Sequence, residues 1–133
     1  MVWMISANKK TYDYASAFAT YNTIEWTQSA KIDIGDTVYI YCSKPEQKLM
    51  YKCAVLNCDL SFNDRLIDDS VFWKDQTKYE EAKEKKFMRL KLIKHVDTEM
   101  LNIEHLQKNG LKYVVLGPRT VSSDLVDYIE TYF

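Results

Sequence analysis

The sequence predicts an α+β domain, in which a small curved mixed sheet or open β-barrel is surrounded by helices. Two observations lead to this class. Runs of pairing strands are interrupted by single helices, and the strand segments are rich in β-branched and aromatic residues. A chain of 133 residues without an internal repeat or a linker-like segment has the size of one domain. We therefore expect residues 1–133 to form a single domain.

The chain begins with a strand and a helix. Residues 2–5 are an apolar run that ends in a polar turn, which predicts a buried strand. Apolar residues then recur at i, i+3, i+4 and i+7 from Tyr14, and this spacing predicts an amphipathic helix over 13–21. The next segment, 23–34, is polar and contains Trp26, and we expect it to be irregular.

The middle of the chain predicts an antiparallel pair of strands followed by an insertion. A Gly35-Asp36 turn leads into 37–42, and 48–57 follows after a loop; both segments alternate between two faces. Residues 60–86 lose this alternation and become charged, which predicts a solvated insertion or loop-helix with an exposed helix near 76–85.

The last third of the chain predicts two strands and two helices. Residues 87–94 alternate as a strand, and 98–108 fit a helix with a threonine cap and a glycine stop. Residues 113–116 form a short apolar run that predicts a final strand. Residues 122–132 have the apolar spacing of a terminal helix.

The composition limits the function classes. The chain carries 18 Lys and Arg against 19 Asp and Glu, and the resulting net charge of −1 excludes a strongly basic protein that coats nucleic acid. Ten Tyr, five Phe and three Trp make an aromatic surplus, and only three Gly and two Pro are present, which excludes disordered and low-complexity classes. The aromatic surplus must serve a core, an interface or a stacking site for a flat ligand.

Motifs for common chemistry are missing from the sequence. It has no P-loop, no GxGxxG and no GxSxG, and its three cysteines contain no CxxC pair. The carboxylate pair Asp68-Asp69 is interpreted as part of a solvated loop, not as a metal site. We expect no catalytic residue, no metal and no cofactor. The sequence has no signal-peptide pattern and no 18-residue apolar window, so we expect a cytoplasmic protein that does not contact membranes.

A basic cluster of six cations falls within twelve residues, 83–94. Arg89 and Lys91 project to one face of the predicted strand, where they could follow a phosphate backbone. A solvated sheet edge with protective charges is the alternative interpretation.

Taken together, three segments resemble the EVE domain, a member of the PUA-like superfamily and a structural relative of the YTH domain. The three segments are Trp3-Met4-Ile5-Ser6-Ala7-Asn8, Ile24-Glu25-Trp26-Thr27-Gln28-Ser29 with the strands 34–43 and 50–55 after it, and 110–121 with its Gly117-Pro118-Arg119 turn. The resemblance covers nearly the whole chain and rests on the order of the segments. It implies a PUA-like curved sheet or open barrel with a pocket that accepts an extruded modified base.

The resemblance also implies roles for individual positions. Trp26 matches the aromatic residue that stacks on the base, and Thr27 follows it as a small hydroxyl residue. Asn8 matches an amide that hydrogen-bonds the base edge, and Ser43 a polar wall residue. Further candidates, for the pocket wall and for a phosphate contact, are Ser6, Tyr12, Tyr41 and Arg119. An ordinary core position remains the alternative for Trp26.

The implied function is recognition of a modified base in DNA or RNA, either methylated or hydroxymethylated cytosine or methyladenine. Methyladenine readers enclose the base with a second aromatic residue, for which Trp73, Tyr12, Tyr39, Tyr41 and Trp3 are the candidates. EVE domains are often fused to nucleases, so a separate nuclease or effector protein is an implied partner. The first alternative is an amidohydrolase like one in the related ASCH branch, using Thr27, Glu25 and Lys9 or Lys10. A small-molecule or protein-binding module is the second.

Overall fold

A computed structural model of the protein describes residues 1–113 and 115–133. Short 3-10 turns at Phe62–Asp64, Ser70–Phe72 and Glu99–Leu101 supplement the main elements. These elements are β1 Val2–Ala7, α1 Tyr14–Thr20, β2 Thr23–Gln28, β3 Thr37–Cys42, β4 Lys48–Leu60, α2 Gln76–Ala82, β5 Lys86–His95, α3 Ile103–Lys108, β6 Arg119–Thr120 and α4 Ser123–Glu130. In the part of the chain that the structure describes, no helix has the length and apolar character needed to cross a bilayer.

The strands form one mixed sheet in the order β2-β5-β4-β3-β1-β6. β1 runs parallel to β3, and every other neighbouring pair is antiparallel. Register shifts in the β3–β4 and β4–β5 pairs are bulges, which bend strands and increase their twist. The result is a curved, unclosed α+β sheet, which confirms the fold class predicted from the sequence.

Each face of the sheet carries its own core. Successive side chains of a strand point to opposite faces, so Met4 and Ile5, or Tyr39 and Ile40, enter different cores. The first core cluster consists of Ile5, Ala7, Tyr12, Tyr14, Ala17, Phe18, Ile24, Ile32, Val38, Ile40, Cys42, Met50, Tyr51, Cys53, Val55, Met88 and Leu90. The second core cluster consists of Met4, Tyr39, Tyr41, Leu49, Leu101, Leu106, Val115, Leu125 and Ile129. Helix α1 therefore covers one face, and α3 and α4 cover the other.

The structure corrects two predicted elements. Trp26 lies in β2 and not in an irregular segment, because pairing with Met88 of β5 holds this polar stretch extended. The helix predicted over 98–108 is divided at Asn102, whose Oδ1 accepts a hydrogen bond from the His105 backbone and caps α3. The strand predicted at 113–116 includes position 114, which lies outside the described residues, and the last strand is β6.

The charged segment 60–86 packs against the loop between β1 and α1. Its helix is confirmed as α2. The backbone N–H of Asp13 donates to the carbonyl of Phe72 at 2.7 Å, and that of Lys74 donates to the carbonyl of Thr11 at 2.8 Å. These bonds attach the segment around Phe72 to the loop between β1 and α1. The segment around Phe72 is therefore joined to the sheet where β1 ends.

Asp36 stabilises the start of β3, and this contribution depends on pH. Burial alone would raise the pKa of its carboxyl group, but hydrogen bonds from the Asp33 backbone, the Met1 ammonium and the Trp3 indole outweigh burial and lower the pKa. A lowered folded-state pKa contributes stability above the unfolded value, about 3.9, and this stability is lost as the pH falls through the folded value. We expect Asp36→Asn to lower the free energy of unfolding by about 1 kcal/mol at pH 7.

Urea denaturation of the wild type and Asp36→Asn at pH 7 and near pH 2 checks this expectation. The difference between the two proteins should shrink at the lower pH. A difference that stays constant with pH would contradict the proposed role of the carboxylate.

Candidate functional site

A cavity of about 460 Å³ opens beside the ends of β1, β2 and β3 and is flanked by α2. This volume lies within the range of roughly 300–1,000 Å³ that is common for small-molecule pockets. The lining residues come from segments far apart in sequence. They are Ser6, Ala7, Asn8, Thr11, Tyr12, Glu25, Trp26, Thr27, Ser43, Trp73, Lys78, Ala82, Lys85, Val115 and Leu116.

Most of the residues predicted for the pocket meet at this one cavity. Those that line it are Ser6, Asn8, Tyr12, Trp26, Thr27 and Ser43. The parallel pairing of β1 with β3 explains part of this arrangement, since Ser43 follows β3 where Asn8 follows β1. Tyr41 does not line the cavity. Its side chain points to the opposite face of the sheet and packs in the second core cluster, so the interpretation of Tyr41 as a wall residue is corrected.

Three aromatic rings form one wall of the cavity. The ring of Tyr12 lies edge-on to Trp26, with centroids 5.5 Å apart and an interplanar angle of 71°. The same ring lies edge-on to Trp73 at 5.2 Å and 75°. Both tryptophans are half-buried, so their rings keep surface that a ligand can contact. The cavity thus has two indole rings joined by a buried phenol.

A buried charge network holds Tyr12 in place. Its hydroxyl donates a hydrogen bond to Asp69 Oδ2 at 2.8 Å, and Arg65 Nη1 lies 2.8 Å from Asp69 Oδ1. Burial and the neighbouring Asp69 carboxylate raise the pKa of Tyr12 far above its usual value. Its hydroxyl therefore stays protonated and donates to Asp69. Asp69 is completely buried, which corrects its interpretation as part of a solvated loop, whereas Asp68 beside it is exposed as expected.

Glu25 forms a second buried anchor beside the aromatic wall. Its side chain is buried, and its carboxylate accepts hydrogen bonds from the backbone N–H groups of Leu66 and Ile67 at 3.0–3.1 Å. It also pairs with Arg89, whose Nη2 lies 3.0 Å from Oε2. Arg89 was predicted to contact phosphate as a surface cation. The structure corrects this placement, because Arg89 is half-buried and its charge is paired with Glu25.

Asn8 and Ser43 form the polar edge of the cavity. Asn8 Oδ1 accepts a hydrogen bond from the Lys10 backbone at 2.9 Å, which orients the side-chain amide. In residues 1–113 and 115–133, the Asn8 amide nitrogen has no acceptor of its own. Ser43 Oγ donates to the Ala7 carbonyl at 3.0 Å and fixes the turn between the two strand ends. Asn8 is therefore the side chain best prepared to donate to a ligand.

The cations at the cavity are not the predicted ones. Lys78 and Lys85, both exposed, line it from α2 and the turn that follows. Lys78 Nζ lies 3.6 Å from Glu81 Oε2, whereas Lys85 makes no salt bridge within the described chain. Lys91 is exposed on β5 and does not line the cavity. Arg119 packs its guanidinium 4.2 Å from the centroid of the Tyr113 ring, beside a second cavity of about 590 Å³.

Trp73 and Lys85 line the cavity, but the sequence predicts Trp73 only as one of several candidates for a second aromatic residue and does not single out Lys85. The bulky pair Phe72-Trp73 interrupts a charged segment, which is unusual for a solvated loop and marks a point of packing. Lys85 belongs to the basic cluster in the sequence, but the alternation of the following strand does not extend to it. No group of three or more His, Cys, Asp or Glu suited to hold a metal ion occurs among the described residues.

The mixed sheet, the parallel pairing of β1 with β3 and the helices on both faces give the chain a PUA-like fold. The ASCH protein of Zymomonas mobilis superposes with a TM-score of 0.66 at 10% identity, over 98% of this chain and 94% of that chain. Human THYN1, whose structure is a complex with DNA containing 5-methylcytosine, superposes with a TM-score of 0.63 at 8% identity, over 98% of this chain and 95% of that chain. A protein from Leishmania major superposes with a TM-score of 0.62 at 18% identity, over 98% of this chain and 92% of that chain. No family model and no curated protein matches the sequence.

Proposed function

We propose that the protein binds a modified base of DNA or RNA that is flipped into the cavity. The observation that carries this proposal is the wall of Trp26, Tyr12 and Trp73 on a cavity of about 460 Å³. THYN1, which has the same fold, binds DNA containing 5-methylcytosine, and this makes methylated or hydroxymethylated cytosine the first choice of base. Methyladenine is the second choice. Membership of the EVE branch is part of the same proposal.

The aromatic wall supplies the main binding energy. A base leaves its neighbours at a cost of a few kcal/mol, and stacking on an aromatic side chain returns about 1–3 kcal/mol per base. Two indole rings at one cavity can contact both the face and the edge of a base. Because a methyl group adds only about 1–3 kcal/mol of discrimination in an apolar pocket, both rings are needed for selectivity.

The polar residues give orientation. The free amide donor of Asn8 is suited to an acceptor on the base edge. Thr27, next to Trp26, adds a hydroxyl group that can donate or accept. Tyr12 has no proton left to donate to a base, because its hydroxyl already donates to Asp69. Base identity would therefore depend mainly on Asn8 and Thr27.

Lys85 provides a contact with the phosphate backbone in this proposal. We expect Lys85→Ala to weaken binding about equally for modified and unmodified oligonucleotides and to make the slope of log K against log salt concentration shallower by about 1. Lys108→Ala, on α3, is the matched control and should leave the slope unchanged. Binding titrations from 25 to about 200 mM salt measure both variants. A slope unchanged by Lys85→Ala would remove this residue from the interface.

The structure favours binding over hydrolysis. Glu25 would serve an amidohydrolase as an acid or base, but its carboxylate already accepts hydrogen bonds from two backbone N–H groups and pairs with Arg89. Lys9 is paired with Glu46 at 3.0 Å. We therefore propose a module without catalytic activity, whose effect on nucleic acid requires a separate nuclease or effector protein. Release of acetate from an acetylated cytidine by the purified protein would overturn this part of the proposal.

A binding panel tests the proposed function. Labelled oligonucleotides of one sequence, single-stranded and double-stranded, carry cytosine, 5-methylcytosine, 5-hydroxymethylcytosine, adenine or N6-methyladenine at one position. Fluorescence anisotropy at low salt should show at least tenfold tighter binding of one modified base than of its parent. Equal affinity for all five bases would contradict the proposal.

A further inference from the structure

Leu116 is the most exposed large hydrophobic side chain in the part of the chain that the structure describes. Its side chain is 84% exposed, and yet it lines the cavity that holds the aromatic wall. Burying such an apolar side chain would lower the free energy, so its exposure to water is unfavourable. An apolar group at the opening of a proposed base pocket suggests contact with a ligand that the pocket itself does not enclose.

The loop that carries Leu116 is held on both sides. Val115, the preceding residue, is buried in the second core cluster. Beyond Leu116, Arg119 pairs with Met4 of β1, and its guanidinium packs on the Tyr113 ring at 4.2 Å. The loop is thus attached to the sheet at Arg119 and to the core at Val115. Leu116 therefore projects from a loop that is supported on both sides. A side chain that inserts between other groups needs such support.

We propose that Leu116 is a wedge that enters a duplex and fills the space left by the flipped base. This inference rests on the proposed function and specifies its ligand as a modified base within double-stranded nucleic acid. When a base leaves a duplex, its neighbours lose stacking contacts, and apolar side chains such as leucine can take the vacant place between base steps. A single strand offers no such gap, because its bases can splay apart without breaking pairs.

The test compares duplex and single-stranded binding of Leu116→Ala with the same modified base in both forms. We expect the affinity for the duplex to fall about tenfold, and the affinity for the single strand to change less than twofold. Leu66→Ala is the matched control, since Leu66 is 77% exposed but does not line the cavity. It should leave both affinities unchanged. Thermal unfolding of the variants confirms that each is folded.

The outcomes separate the wedge from the proposed function. A loss confined to the duplex supports the wedge. An equal loss on both ligands, an unchanged duplex affinity, or a wild type that binds only the single strand would overturn the wedge and leave base recognition standing. If the wild type binds neither form more tightly than its unmodified counterpart, the proposed function fails and the wedge fails with it.

Discussion

Replacing Trp26 with alanine is expected to lower the affinity for an oligonucleotide with the preferred modified base by between about 5-fold and about 150-fold. This range is the loss of one base-stacking contact, about 1–3 kcal/mol. Trp26 lines the cavity and lies edge-on to Tyr12, so its removal also opens the aromatic wall. Trp26→Phe keeps an aromatic ring at the position and should retain more of the affinity than the alanine variant. Fluorescence anisotropy measures each variant at low salt.

Trp3→Ala is the matched control for this experiment. Trp3 and Trp26 are both half-buried and pack against the first core cluster, but only Trp26 lines the cavity. Both alanine variants should therefore lose stability, and only Trp26→Ala should lose affinity when the two are measured at a temperature at which they are folded. If both variants bind as the wild type does, Trp26 is an ordinary core residue.

Replacing Asp69 with alanine is expected to lower the free energy of unfolding by about 3–5 kcal/mol. The substitution leaves the buried guanidinium of Arg65 without a carboxylate partner and the Tyr12 hydroxyl without an acceptor. Because Tyr12 contacts both Trp26 and Trp73, the loss should also weaken the aromatic wall. Urea denaturation at pH 7 measures the change in stability.

The neighbouring Asp68 provides the control for this second prediction. Asp68 is exposed and its side chain accepts a hydrogen bond from the Ser70 backbone, so Asp68→Ala should cost less than about 1 kcal/mol. Tyr12→Phe, which removes only the hydroxyl, should cost about 1–3 kcal/mol, since it leaves one buried carboxylate oxygen unsatisfied. Comparable losses in the Asp68 and Asp69 variants would show that the buried network does not stabilise the fold.

Local sequence patterns predicted most of the sheet, because several of its strands alternate visibly between two faces. Residues 37–42 and 87–94 show this pattern, and both are strands in the structure. The resemblance to EVE domains located the ends of β1 and β3, where Asn8 and Ser43 line the cavity. Trp26 was assigned to an irregular segment because its local sequence is polar. Its pairing with Met88 lies 62 positions away, and local spacing does not contain that information.

Long-range contacts also explain the features that the sequence did not reveal. Asp69 is buried because Tyr12 and Arg65 meet there, whereas Asp68 beside it is exposed. Two adjacent carboxylates with opposite environments cannot be distinguished by composition. Similarly, the sequence predicts a phosphate contact for both Arg89 and Lys91, because the two residues lie on one face of a strand. Only the register of β2 against β5 places Glu25 opposite Arg89.

A structure of the protein with a duplex that carries its preferred modified base tests the central claim most directly. We predict that the modified base is extruded from the duplex and lies in the cavity, with its plane in van der Waals contact, about 3.5–4 Å, with Trp26 or Trp73. A modified base that remains stacked and paired in the duplex, with the cavity outside the interface, would contradict the account.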